Sequence, residues 1–433
     1  MLGEGAWVAG GQVVSALGTV AGVRVLTECV RPNELGAVSL IVGLIALSAN
    51  TFCLPWIRGA FRFLPEVAQA GQSAWLRTTV VRKLARAVVW LAAGFLLAGV
   101  VAQAWGGFSF WALAFAAGLL GVEVFQRFET NLLAAARRQR GYAIWTSADV
   151  CLRPAAAATS VWFFGASPQA ILGGYLCGAA GVYCVARSLV RNSERSALAT
   201  AANSSASDSA GHASALTTTE PRAGLRAELR RYVLPLMPLA IVGWGTATAD
   251  RYIVWWGLGS VAVGLYATIY GLVGRLFSMV LTPVELTLRP VYFAAVATRD
   301  RARARVVFRT WLAIVLVSTA SVVAGLYLLG DWLVFLLLAE EYRSVATIMP
   351  ILGVAFATMG LAALVNEINA AYKNTRAVLC SEVLAAIVTI AAAFPLIRWF
   401  GLTGAALATW LAYTVQLCAA CVIARRVWKQ QVA

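Results

Sequence analysis

Nine of the ionisable side chains within or at the ends of otherwise apolar stretches could carry chemistry: Arg24, Glu123, Arg127, Asp149, Arg153, Asp250, Arg251, Arg275 and Glu367. Such groups are costly in hydrocarbon and mark substrate or ion pathways by default. A central Arg costs about 2.5–3.5 kcal/mol, so five amount to roughly 13–17 kcal/mol. That rivals the roughly 5–15 kcal/mol net stability of a whole domain. Partner carboxylates or a water-filled cavity must therefore surround them. Arginine stays charged when partly desolvated and presents a fixed fork of donors that matches phosphate. The five arginines are thus candidate anion ligands. Asp250, Glu123, Asp149 and Glu367 are candidates for a coupling cation or proton, and neighbouring Asn, Gln, Thr, Ser and Tyr270 suit hydroxyl-rich ligands.

Helical periodicity gathers these groups onto faces. Glu123, Gln126, Arg127, Thr130 and Asn131 recur at i, i+3, i+4, i+7 and i+8, one continuous polar stripe. Thr146, Asp149 and Arg153 share a second face, with Pro154 freeing a carbonyl one turn back. Gly271, Arg275, Ser278, Thr282 and Glu285 form a third. Asn366, Glu367, Asn369 and Lys373 cluster near the end of another stretch. Asp250 and Arg251 are adjacent and must point to different faces. Arg24/Glu28, Glu123/Arg127 and Asp149/Arg153 also stand at i, i+4, so ion pairing within a helix is the competing structural role.

The elements that carry these residues are membrane helices. The chain has 433 residues, is 61% hydrophobic and carries a formal charge of +16. Its apolar residues fall into about twelve stretches of the roughly 20 residues a bilayer requires: 6–30, 34–57, 84–105, 108–133, 143–165, 169–189, 232–256, 260–284, 306–329, 345–370, 376–397 and 402–425. Of the 35 Lys and Arg residues, 27 fall in alternate gaps, from Arg58 to Lys429. The opposite gaps hold only Arg31, Arg343 and Arg398. By the positive-inside rule, both termini are expected in the cytoplasm. A reporter joined at Ser205 should accordingly read as cytoplasmic and one at Gly107 or Ser167 as external; Ser205 outside would reverse the orientation.

This topology accounts for the basic balance without nucleic acid. The eight cysteines lie mostly within spans, and the Cys418/Cys421 pair has no second pair to build a metal site. His212, the only histidine, sits in a Ser/Ala/Thr-rich stretch, so a histidine-based zinc centre or catalytic triad has no basis. No outer loop is long enough for a catalytic domain. The expectation is a protein that is not an enzyme and needs no cofactor.

The stretch 192–224 has the composition of a disordered cytoplasmic linker. It separates an N-terminal six-helix bundle, 1–191, from a C-terminal one, 225–433. Leu35-Gly36, Gly43-Leu44 and Pro55 recur as Val263-Gly264, Gly271-Leu272 and Pro283 at one shared offset, and Phe164-Gly165 is echoed by Phe400-Gly401. Parallel repeats with an even number of spans each are an arrangement of alternating-access transporters. The fold class expected is an all-α polytopic membrane protein, two six-helix bundles around a central cavity.

The run from Arg24 through Pro32, Glu34 and Gly36, followed by Arg58 and Phe61 to Glu66, resembles the start of bacterial polysaccharide-transport proteins. These are the Wzx-type oligosaccharide flippases of the multidrug/oligosaccharidyl-lipid/polysaccharide superfamily. Leu234-Pro235-Leu236, Asp250-Arg251-Tyr252, Gly264 to Tyr266 and Gly401 to Ala408 are similar in style. The resemblance implies a multi-pass inner-membrane protein, a monomer, that moves undecaprenyl-diphosphate-linked oligosaccharide outward. Its partners would be that lipid-linked glycan, a coupling cation or proton, and other polysaccharide-assembly membrane proteins. Because the first, seventh and eighth helices line the cavity in proteins of this type, Arg24, Arg251 and Arg275 become the first diphosphate ligands, followed by Arg127 and Arg153. Glu28 departs from the family, many of whose members carry a basic residue there. The alternative is a cation antiporter of the multidrug-and-toxin-extrusion type. Those proteins tend to place an acidic residue in the first helix, where this chain has Arg24.

Overall fold

The computed structural model describes residues 2–69, 73–105, 108–135, 139–207, 224–372 and 374–432. Among them every regular element is helical. A bilayer leaves no other choice to an open chain, because each backbone N–H and C=O must find its partner inside its own segment. The helices are α1 (Leu2–Cys29), α2 (Pro32–Ser48), a π-helical turn (Ala49–Cys53), α3 (Leu54–Gln69), α4 (Ser73–Ala104), α5 (Phe110–Ala135) and α6 (Gln139–Phe164). They continue with α7 (Pro168–Ser207), α8 (Leu225–Val233), α9 (Leu236–Ala297), α10 (Arg301–Leu337), a 3-10 turn (Glu340–Ile348), α11 (Met349–Ala371) and α12 (Thr375–Val432).

Two of these are broken. Gly259 in α9 has φ 83° and Gly401 in α12 has φ 59°, values that L-residues avoid. Each break lies between two of the expected spans, so α9 and α12 each contribute two arms. Taking α2, the π turn and α3 as one unit and counting two arms each for α9 and α12, the described helices coincide with the twelve expected spans. Eight helical stretches are long and apolar enough to cross a membrane by length and composition, two of them containing both arms of α9 and α12.

The chain forms two compact units, and their boundaries are interleaved. Residues 1–22 and 45–237 form the first, and 23–44 and 238–433 the second. The end of α1 and most of α2 thus group with the C-terminal helices. The amphipathic α8 groups with the N-terminal ones, burying Leu225, Leu229 and Val233 and stacking Tyr232 edge-on to Phe63 at 5.9 Å. Within the stretch 192–224, α7 runs on as helix to Ser207; residues 208–223, with His212, lie outside the described residues.

In the first unit, Gly11, Gly18 and Gly22 of α1 pack directly on Ala143, Cys151 and Pro154 of α6. Small residues at such crossings let membrane helices approach closely. The Ser147 hydroxyl donates to the Gly11 carbonyl at 3.0 Å.

In the second unit, the start of α2 crosses the second arm of α9 with almost no clearance. A methyl on Gly36 would strike the Ser260 carbonyl, and one on Gly264 would strike the Pro32 carbonyl. Pro32 and Gly36 stand at the shared sequence offset from Ser260 and Gly264, so the two close contacts are reciprocal. Backbone cannot yield as a side chain does. Gly36→Ala or Gly264→Ala should therefore cost about 1–3 kcal/mol, or more where the helices cannot separate. Gly271→Ala, facing open space, should cost nothing measurable. Thermal unfolding in detergent reads the difference; equal stability of all three variants would refute this packing.

Candidate functional site

Seven of the nine sequence-derived charged residues fall into three clusters, one in the first unit and two in the second, and Arg24 and Arg275 belong to none of them. In the first, the stripes of α5 and α6 face each other across a cavity of about 280 Å³ lined by Glu123, Gln126, Arg127, Thr130, Thr146, Asp149, Val150 and Arg153. Both periodicities put the right side chains on the right faces; Asn131 instead donates to the Arg127 carbonyl at 2.7 Å.

Arg153 is held on two sides. Its Nη1 donates to Glu123 Oε1 at 2.6 Å, and its Nη2 and Nε donate to Asp149 at 2.8–3.3 Å. Arg127 is held loosely, with Nη2 3.5 Å from Glu123 Oε2 and Nη1 donating to Asn50 Oδ1 at 3.0 Å. The Arg127 side chain is 41% exposed and that of Arg153 is 21% exposed. Two guanidinium groups and two carboxylates make this cluster neutral. Asn50 has no helical-stripe signature, because it sits in the π turn, where the usual residue spacing fails and functional positions are frequent.

The second cluster surrounds Asp250, which is 1% exposed. One carboxylate oxygen accepts the Arg251 backbone N–H at 2.8 Å and the other accepts the Tyr266 hydroxyl at 2.8 Å. Tyr266 lies 3.0 Å from the Thr409 hydroxyl, and Tyr270 lies 3.2 Å from that of Tyr413. These pairs are one turn apart on both helices, forming two rungs between the second arms of α9 and α12. Such a nest of oxygens suits a proton or a small cation. The i, i+4 spacing of Tyr266/Tyr270 and Thr409/Tyr413 is the sequence signal that could have found it.

Arg251 forms no ion pair with Asp250, although its charge acts on that carboxylate; its guanidinium lies 5.2 Å from the Tyr270 ring centroid. That is a cation–π distance, which holds the group without neutralising it. Its Nε is buried without a hydrogen-bond acceptor, as are Nε of Arg275 and Nη1 of Arg24. Arg24 is ion-paired with Glu28. Arg251 and Arg275 have no carboxylate partner among the described residues, although both belong to the same compact unit.

The third cluster pairs Glu367 with Arg289, whose Nε lies 2.9 Å from Oε2 and whose Nη1 donates to Glu285 at 3.1 Å. By periodicity alone Arg289 is only a flanking charge. Asn366 and Ser381 bond each other at 3.1 Å, and the fully buried Asn369 amide has no side-chain partner. No group of three or more His, Cys, Asp or Glu residues capable of holding a metal ion occurs among the described residues.

No protein-family model matches the chain, and no curated protein matches it in sequence. In fold it is similar to solved structures of transporters, several of them described as members of the multidrug/oligosaccharidyl-lipid/polysaccharide (MOP) superfamily. An inward-facing multidrug resistance MATE family transporter of that superfamily is 13% identical with a TM-score of 0.68, over 96% of this chain and 94% of the other. The lipid II flippase MurJ in an inward closed conformation is 10% identical with a TM-score of 0.70, over 98% and 88%. A MOP superfamily transporter from Pyrococcus furiosus is 13% identical with a TM-score of 0.59, over 97% and 95%; reverse polarity of its binding pocket suggests a different function for that protein. The chain is thus an all-α, multi-pass membrane protein that shares the fold of these structures.

Proposed function

We propose that this protein is a flippase that moves an undecaprenyl-diphosphate-linked oligosaccharide from the cytoplasmic to the periplasmic leaflet of a bacterial inner membrane, both termini being cytoplasmic. The observation that carries this reading is that Arg251 and Arg275 are partly buried guanidinium groups that form no ion pair with a carboxylate among the described residues. An uncompensated Arg in a membrane segment needs water or an anion, and the forked guanidinium favours phosphate. Similarity of fold to a lipid II flippase supports a lipid-linked substrate, and the resemblance of the Arg24–Gly36 run supports a glycan. Arg24, partly offset by Glu28, is the third ligand on this reading.

Asp250 favours ion coupling within the same protein. Asp250→Asn keeps the shape and most hydrogen bonds of the site but removes the charge. It should abolish export while leaving membrane abundance and diphosphate binding near wild type. Unimpaired export would remove Asp250 from the coupling step. Glu367, tied to Arg289, is a weaker candidate on geometric grounds.

The test is complementation of a bacterial strain lacking its own oligosaccharide flippase, read as surface polysaccharide with membrane abundance measured in parallel. Restoration of polysaccharide supports the reading. If the strain gains only resistance to cationic drugs, the antiporter is correct.

A further inference from the structure

The neutral cluster in the first unit is unevenly built. Arg153 meets three carboxylate oxygens at 2.6–3.1 Å. Arg127 meets one, at 3.5 Å, well beyond the 2.7–2.9 Å of a strong charge-assisted bond. Arg127 is also the more exposed of the two and lines the cavity with Gln126, Thr130 and Thr146, all neutral hydrogen-bonding groups. Glu123 therefore serves two cations unequally, gripping Arg153 and only neutralising Arg127.

We propose that Glu123 is a resident stand-in for an anionic ligand: a phosphate-type group enters this cavity and displaces Glu123 from Arg127. The carboxylate then stays on Arg153, which Asp149 fixes from the other side. Arg127 is the ligand-reading residue; Arg153 and Asp149 are positioning residues. The cavity, about 280 Å³, is at the lower limit of small-ligand pockets of roughly 300 Å³, so it takes a headgroup and excludes an oligosaccharide. A stand-in has a physical purpose here. It spares the empty protein a bare guanidinium in the membrane, and it keeps the anion weakly bound, as passage through a transporter requires. This inference rests on the anionic-substrate reading above but concerns different residues in a different unit.

The test is anion binding to the purified full-length protein in neutral detergent, with inorganic pyrophosphate as the probe in calorimetry. Glu123→Gln should bind pyrophosphate about five-fold more tightly than wild type, the scale of a partly exposed ion pair removed as a competitor. Adding Arg127→Met to Glu123→Gln should abolish the gain. Because Arg127 has only a neutral bond and one long contact to lose, Arg127→Met alone should fold and bind less than wild type, which keeps the idea testable if Glu123→Gln is unstable. Competition by farnesyl diphosphate would assign the site to a prenyl-linked lipid, and competition by phosphatidylglycerol alone to a bilayer headgroup; both support the site. Unchanged or weaker binding by folded Glu123→Gln, or a gain that survives Arg127→Met, overturns it. The double variant Arg251→Ala/Arg275→Ala separates the two ideas. The response of pyrophosphate binding to Glu123→Gln should persist in it, whereas the farnesyl diphosphate binding that remains after Arg127→Met should be lost when Arg251→Ala/Arg275→Ala is added; if that remainder survives, the proposed function loses its support.

Discussion

Replacing Arg251 and Arg275 together by alanine should reduce export by about a hundred-fold or more at unchanged membrane abundance. A hydrogen bond to a charged group contributes roughly 1.5–3 kcal/mol, and two such losses add where the sites are independent. Neither guanidinium forms an ion pair among the described residues, so the fold should survive; because the charge of Arg251 acts on the buried Asp250, Asp250→Asn should offset any loss of abundance that Arg251→Ala brings. Arg251 also gives up its stacking on Tyr270, a smaller loss at a ring only 8% exposed. Lysine at either position should rescue partly, because it keeps the charge but not the fork. Removing a neighbouring carboxylate should rescue no export. A stable double-alanine variant with full export would end the anionic-substrate account.

The second large effect concerns stability. Arg153→Ala leaves Glu123 and Asp149 facing each other, with side chains 12% and 16% exposed and no cation between them. Breaking a buried pair from one side costs about 3–5 kcal/mol, because the penalty is the stranded charge rather than the lost bond. The variant should be scarce in the membrane and melt well below wild type. Adding Glu123→Gln and Asp149→Asn should recover much of that loss, since neutral amides tolerate the site. Arg127→Ala, by contrast, should cost no more than about 1 kcal/mol, as partly exposed pairs do. Equal destabilisation by the two arginine variants would contradict the unequal grip described above.

How far these residues could be foreseen follows from what sequence patterns encode. Charge alternation and apolar length are local properties, and they give the crossings well. The stripes Glu123–Thr130 and Thr146–Arg153 are also local, and the cavity between α5 and α6 follows from them. Which helices pack together is not local. The assignment of Val23–Leu44 to the second unit depends on the Gly36–Gly264 crossing, which no hydropathy pattern contains. The repeat offset marked both glycines without revealing that they meet. Asn50 escaped because a π turn shifts the residue spacing. Beyond Asn192, the serines and threonines suggested a linker, whereas the Ala- and Leu-containing run before Asn203 has helix propensity enough to extend α7. Arg251 and Asp250 were separable in advance, since adjacent residues on a helix cannot share a face. The hydroxyl rungs that hold Asp250 required knowing that α9 and α12 lie side by side.

The central claim is that the cargo is a lipid-linked anion. The most direct measurement is translocation by the purified protein in proteoliposomes, following a fluorescent undecaprenyl-diphosphate oligosaccharide and, in parallel, a fluorescent organic cation. The account predicts that the lipid-linked glycan crosses faster than in protein-free vesicles, that Arg251→Ala/Arg275→Ala abolishes the difference, and that the cation does not move. Movement of the cation with no effect on the lipid would contradict it.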